Sequence, residues 1–376
     1  MLNRRGPLHP DWLGRCAGAP RPAPRPAQPV SRRAFLALGG AAAAAAAASL
    51  RASQQSRAYS LEPIAAGHTL KDAEGRVVLS YLTSKPEGVP LAGNSVCCIH
   101  PFNTLGGVAA TDIAPADHRD HRGIFFAWHD MTFTKNVAQG AERGGGPPRS
   151  DRASRGAGGP DDQVTTVKGD FWGWGRFAPI ENRVIRNTGV RLTETSEAAG
   201  TVTVANDWTI GPDVVMKEES TIRAAEEQGA RVLDLTYRFS SDYDVTLNQM
   251  AFTGFCFRAR KEGPYTFFDS NGEVTLPNSG ATNPATDWPA KPWYSHQVTL
   301  PDGKIVSSAV IDHPSNPPSL WHGARSVSFL NPCISAPGPV TIPARRPLTL
   351  RYRAVAHDGK FPDGWLDRTA AAWRNR

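Results

Sequence analysis

Arg231–Ser240 reads RVLDLTYRFS, with Leu233, Leu235, Tyr237 and Phe239 at alternate positions and Asp234, Thr236 and Arg238 between them. A strand turns successive side chains to opposite faces, so this stretch builds one apolar and one polar face. The same alternation recurs in 348–356, through Leu348, Leu350, Tyr352 and Ala354, and again in 76–83. Val202, Val204, Asn206 and Trp208 repeat it a fourth time. Such runs, punctuated by Gly, Pro, Asn and Asp, predict antiparallel sheets packed face to face. Convincing helical spacing is confined to 364–373. A doubly wound α/β fold needs a helix between successive strands and is excluded on that ground. The predicted fold class is all-β: a large antiparallel β-sandwich with a short C-terminal helix.

The front of the chain is of another kind. Ser31-Arg32-Arg33-Ala34-Phe35-Leu36, followed by an alanine-rich apolar run to Leu50, reads as a twin-arginine export signal, an address recognised by a translocase. The run is shorter than the ~20 residues of a stable span. Cleavage after Ala48 or Ala52 is expected, with no stable membrane insertion afterwards; a retained helical anchor is the competing reading. The expected location is periplasmic or secreted, with the Tat translocase as partner during export. Of 42 basic and 35 acidic residues, residues 1–58 hold nine arginines and one acid, Asp11, leaving 33 and 34. The formal charge of +7 therefore belongs to the leader. A near-neutral remainder has no electrostatic footprint for nucleic acid.

Residues 59–376 are read as one sandwich domain. Within it, 139–163 (QGAERGGGPPRSDRASRGAGGPDDQ) has almost no apolar residue and is expected to form a mobile surface insertion. Residues 277–292 (PNSGATNPATDWPAKP) are rich in proline and turn-formers and predict a long loop. Cys97, Cys98, Cys256 and Cys333 are read as buried free thiols rather than a bridge.

Two polar clusters carry the candidate chemistry. Asp117-His118-Arg119-Asp120-His121-Arg122-Gly123 leads into the apolar run 124–129. So many ionisable groups at a strand entrance are costly unless they face a solvated cavity. In an extended segment His118 and His121 point to opposite faces, and a turn within the cluster would bring them together. The second cluster is Asp312-His313-Pro314-Ser315-Asn316-Pro317 followed by Trp321-His322, read as loops bearing two histidines and an exposed tryptophan. An indole face stacks on the C–H surface of a pyranose while polar groups read its hydroxyls. The histidines suit proton transfer or, with aspartates, a divalent metal; the alternative is hydrogen bonding to loop backbone. No HExxH, paired CxxC, GxSxG, phosphate-loop or dinucleotide motif occurs in a suitable context. Arg258, flanked by apolar residues, needs a partner if it points inward, by a structural salt bridge or by substrate. Glu218 and Glu219 read as ordinary solvent-side charge.

At these same residues the chain resembles the PmoA-like family of exported bacterial proteins. The matching stretches are His100-Pro101-Phe102, Asp117-His118, His121-Arg122-Gly123, Asp170-Phe171-Trp172, Asn206-Asp207-Trp208, Gly254 to Arg258, Asp312-His313-Pro314 with Asn316, and Trp321-His322. The family pattern is Asp-His-Pro-His-His-Arg-Gly, and here Arg119 and Asp120 replace the proline and the middle histidine. A ligand or base at that position in relatives would have to be Asp120 here. The segment 248–253 also departs from the family's turn. The family's common label refers to methane oxygenase, yet a membrane subunit needs long apolar spans that residues 59–376 lack. The resemblance implies a soluble β-sandwich, similar to the galactose-mutarotase supersandwich, with a carbohydrate-active groove on one sheet.

Together these features predict an exported carbohydrate-active enzyme, a hydrolase, lyase or epimerase acting on a sugar or glycoside. His118, His121, Arg122 and His322 are the candidate catalytic residues. Arg258, Asp312, His313, Asn316 and Trp321 are the candidate substrate contacts, and the cofactor is open, with a divalent metal as one option. A non-catalytic periplasmic carbohydrate-binding module is the alternative.

Overall fold

The computed structural model of the chain describes residues 58–136, 164–275, 289–324 and 326–376. The export signal, the insertion at 139–163 and most of the proline-rich loop lie outside the described residues.

The strands, in chain order, are β1 (Ser60–Ile64), β2 (Gly67–Lys71), β3 (Val77–Leu82), β4 (Cys98–Phe102), β5 (Ile124–Ala127), β6 (Met131–Asn136) and β7 (Val164–Gly169). Four long strands follow: β8 (Arg183–Thr195), β9 (Ala199–Ile210), β10 (Asp213–Glu227) and β11 (Ala230–Ser240). Then come β12 (Asp244–Leu247), β13 (Gly254–Arg258), β14 (Tyr265–Asp269), β15 (Gly272–Val274), β16 (Trp293–Thr299) and β17 (Ile305–Asp312). The last are β18 (Leu320–Ala324), β19 (Val327–Cys333), β20 (Val340–Ile342) and β21 (Leu348–Asp358), and one helix, α1 (Trp365–Trp373), closes the chain. They form an eight-stranded sheet ordered β1-β2-β3-β4-β5-β13-β19-β18, a nine-stranded sheet β15-β14-β16-β17-β21-β11-β10-β9-β8, and a small sheet β20-β12-β6-β7. The ladders β5–β13, β10–β11 and β11–β21 are antiparallel, like the others. The all-β sandwich and its terminal helix are as the alternation predicts.

Period-two patterning decides where the core sits. Leu233, Leu235, Tyr237 and Phe239 of β11 point into one cluster with Phe126 of β5 and Phe255 and Phe257 of β13. Phe126 meets Tyr237 at 5.0 Å, and Phe255 stacks on Tyr352 at 4.2 Å, so the two large sheets pack through aromatic contacts. The opposite face of the nine-stranded sheet is also covered. Val232, Ala309, Ile311 and Val355 pack under Trp365, Leu366, Ala370 and Trp373 of α1. The polar members of β11 are accordingly not all solvated: Asp234 accepts from the buried Arg353 guanidinium at 2.6 Å.

Glu218 departs from its expectation. It shares the inward parity of Met216 and Ile222 and is buried, accepting from Trp208 Nε1 at 2.9 Å, Asn206 Nδ2 at 3.1 Å and Ser220 Oγ at 2.8 Å. Burial pushes its carboxyl up from the usual range. Three donors make the burial tolerable, since an unpaired carboxylate there would cost several kcal/mol. Glu219, one residue on, is exposed beside Arg238, as expected. The four cysteines are buried and free, and burial pushes the Cys97 and Cys98 thiols up to about 12.

Candidate active site

The outer face of the eight-stranded sheet carries a second apolar layer, in which Cys98, Phe125, Ala127 and Cys256 lie under Trp172 and Phe329. The Asp117–Gly123 cluster enters the sheet here. Gly123 takes φ 59, and a Cβ on it would collide with the Ile99 carbonyl, so only glycine lets the chain pass from the loop into β5. Main-chain bonds from His118 N to Pro115 O and from His121 N to His118 O, both 3.1 Å, fold two successive turns. That is the turn the sequence reading required. It stacks the His118 and His121 rings at 4.5 Å with a 20° interplanar angle.

Beneath the stack, Arg258 is fully buried. Its Nη2 donates to both Asp117 oxygens at 3.0 Å, and its Nη1 lies 3.3 Å from His121 Nδ1. Asp117 also takes Lys261 Nζ at 2.7 Å, and these cations hold its carboxyl well below the usual range against the opposing effect of burial. Of the two partners in the Arg258–His121 contact only the guanidinium must donate, so His121 Nδ1 is the acceptor and Nε2 carries the proton. Burial, with Arg258 and His118 alongside, keeps His121 neutral well below the usual imidazole range.

His118 and His121 wall a cleft of about 260 Å³ that also takes in Asp120, His129, Trp172, Trp174, Phe252 and Phe329; Arg258, expected to contact substrate, lies beneath it as a buried ion-pair partner and offers it no surface. Asp120 lines the cleft and is fixed there by Trp172 Nε1 at 2.5 Å. Phe252 comes from the loop before β13 and takes φ 57. The loop after β7 is tied by Asp170, whose carboxylate accepts the main-chain N–H groups of Trp172 (2.8 Å), Gly173 (2.9 Å), Trp174 (3.1 Å) and Gly175 (2.7 Å). The loop thereby holds Trp174 at the rim with 48% of its surface exposed. Arg122 is buried below this wall, its Nη1 donating to the carbonyls of Asp120 at 3.1 Å and Trp172 at 3.3 Å and its guanidinium 4.2 Å over Phe125. It positions the wall rather than lining the cleft.

The second cluster does not join the first. Asp312, His313 and Asn316 line a different cleft. Asn316 Nδ2 donates to Asp312 at 2.6 Å and to Arg351 O at 2.8 Å, and Ser319 Oγ donates to Asp312 at 2.6 Å, pinning the turn to β21. Asp312, pushed up to about 6 by burial, orients no histidine. His313 packs edge-on against Trp373 of α1 at 4.9 Å. Trp321 is a correction of a plainer kind: it is 1% exposed, within the inter-sheet core, 4.8 Å from Tyr294 with Nε1 donating to Lys291 O at 2.9 Å. It offers no face to a ligand.

His322, on the opposite parity of β18, is buried behind Phe252 and Phe329, with neither ring nitrogen hydrogen-bonded. Burial lowers it to about 3. Because the unfolded chain takes up this proton below the ordinary value near 6.5 and the folded chain does not until about 3, stability is lost as pH falls through that window. The loss approaches 1.4 kcal/mol per pH unit, or about 2 kcal/mol between pH 6.5 and 5. His322→Leu is expected to remove this part of the acid sensitivity. Urea midpoints at pH 7, 6 and 5 that fall equally in both proteins would contradict the assignment.

The sequence reading missed His129, Trp174 and the tie at Asp170. The available signal was Asp170-Phe171-Trp172-Gly173-Trp174-Gly175, two indoles on a glycine-flanked loop. Among the described residues no three His, Cys, Asp or Glu side chains converge to hold a metal ion, and no helix is long and apolar enough to cross a membrane.

No curated protein matches the chain. Similar solved structures include the GH36 α-galactosidase AgaA of Geobacillus stearothermophilus with raffinose, at 10% identity and a TM-score of 0.32 over 81% of this chain. The chain spans 40% of that protein's length. A galactose mutarotase related enzyme from Lactobacillus acidophilus matches at 8% identity and a TM-score of 0.27, over 52% of this chain and 78% of its own. The Slr1438 protein of Synechocystis matches at 9% identity and 0.24, over 51% and 70%. Residues 70–371 match a family profile described as a family of unknown function, DUF6807, and the chain belongs to that family.

Proposed function

We propose that the protein is an exported enzyme that binds a sugar or glycoside in the His118/His121 cleft and acts on it by acid–base chemistry. One juxtaposition carries the reading: the half-exposed indole of Trp174 shares a cleft with His118, His121 and the fixed carboxylate of Asp120. An aromatic platform beside donors and acceptors is the arrangement that a pyranose, apolar on its C–H faces and polar at its edge, demands. Trp174 takes the stacking role first expected of Trp321. Asp120 adds a fixed acceptor at that edge, and about 260 Å³ of space lies just below the ~300 Å³ at which pockets for drug-sized ligands begin, a size for one sugar unit.

Trp174→Ala is expected to weaken sugar binding about tenfold, ~1.4 kcal/mol, while moving stability by no more than ~0.5 kcal/mol because the side chain is half-exposed. Calorimetric titration with a panel of ordinary and oxidised glycosides, with and without chelator, measures this and exposes any metal dependence. Failure of every sugar to bind would remove the reading, and binding without turnover would leave a carbohydrate-binding module. Export rests on Arg32 and Arg33; replacing both by Lys should retain the precursor in the cytoplasm, and undiminished periplasmic delivery on fractionation would count against it.

A further inference from the structure

His129 is a third histidine of the cleft, and its surroundings are the inverse of those of His121. It follows β5 directly, two residues beyond Ala127. Its main-chain N donates to Thr253 Oγ1 at 3.2 Å, and its ring lies 4.6 Å from Trp172 and 5.1 Å from Trp174. The residue is 2% exposed yet lines the cleft. Its Nδ1 is buried without a hydrogen-bond partner and lies 3.7 Å from Asp170 Oδ2. That is longer than a hydrogen bond, but contacts of this kind tighten when substrate closes a site. Asp170 cannot drift to meet another partner, because four main-chain N–H groups hold it.

A carboxylate facing Nδ1 favours the tautomer that carries its proton there, leaving the Nε2 lone pair free. A guanidinium facing Nδ1, as at His121, forces the opposite tautomer and leaves Nε2 with the proton. Trp172 lies against both imidazoles, at 4.6 Å and 5.6 Å. We propose that His129, positioned by Asp170, is the general base of this cleft and that His121, positioned by Arg258, is its general acid. The assignment rests on the sugar reading above and gives it a reaction class: proton transfer at two atoms of one substrate. His129 Nε2 takes a proton from a C–H or O–H of the sugar. The electron pair left behind moves through the substrate to an oxygen, which takes the proton of His121 Nε2–H. One bond to hydrogen breaks and one forms at each end, leaving His129 an imidazolium facing Asp170 and His121 an imidazolate against the Arg258 guanidinium, with the overall charge unchanged.

The test begins with the unmodified full chain, labelled with ¹⁵N-histidine, in long-range ¹H–¹⁵N correlation spectra at pH 7.5. His129→Gln and His121→Gln serve to assign the signals. His129 should appear with Nδ1 protonated and His121 with Nε2 protonated; a shared tautomer would overturn the pair. Turnover of whichever panel sugar binds should then fall about 10²–10⁴-fold in each single variant, with unchanged thermal midpoints. Losses below tenfold would also overturn it. Opposite tautomers in a chain that binds no sugar would support the pair and discard the carbohydrate substrate.

Discussion

Arg258→Met is expected to destabilise the protein by about 3 kcal/mol, toward the low end of what breaking a buried ion pair costs. The guanidinium is fully buried, and three of its contacts converge on Asp117 and His121. Removing it leaves the Asp117 carboxylate against an apolar side chain. Two features keep the loss from the upper end: 24% of the Asp117 side chain is exposed, and Lys261 stays within 2.7 Å. Lys261→Met, at a side chain 31% exposed, should cost under ~1 kcal/mol, as surface pairs do. Urea unfolding of the two variants makes the comparison. Equal and small losses would mean that Arg258 is not the keystone under the histidine stack. The same substitution removes the donor to His121 Nδ1, so loss of stability and loss of a fixed tautomer should travel together.

Much of this was legible from one-dimensional pattern. Alternation over Leu233, Leu235, Tyr237 and Phe239 points to a buried face because side-chain parity in a strand is fixed by geometry, and a two-sheet core follows. The turn uniting His118 and His121, and the need of Arg258 for an inward partner, were readable for a similar reason: the cost of burying polar groups constrains them locally. What stayed hidden depends on long-range register. Glu218 shares the parity of Met216 and Ile222, and Ser220 on its own strand is one donor, but Asn206 and Trp208 reach it from β9 only through the pairing register. His129 lies at the end of an apolar run, and its meaning comes from Asp170, 41 positions further along the chain. The prolines of 314–318 mask the five-residue strand β18 as loop, and this misplaced both Trp321 and His322.

That misreading supplies the other large effect. Trp321→Ala should cost about 3–5 kcal/mol, the usual result of deleting a large buried aromatic. The indole fills space between the sheets beside Tyr294 and satisfies the Lys291 carbonyl at 2.9 Å. Deletion therefore opens a cavity and orphans an acceptor at once. Trp321→Phe keeps most of the volume and should lose only about 1–2 kcal/mol, chiefly the hydrogen bond. A sugar platform behaves in the opposite way, because its outer face is solvated before ligand arrives. Trp174→Ala would then reduce affinity and leave the urea midpoint in place, whereas Trp321→Ala would lower the midpoint and spare affinity in whatever fraction stays folded. Measuring both quantities on both variants separates core from site. A Trp321→Ala protein with an unchanged midpoint and lost sugar binding would return the second cluster to the active site, and with it the original pairing of two distant histidine-bearing segments.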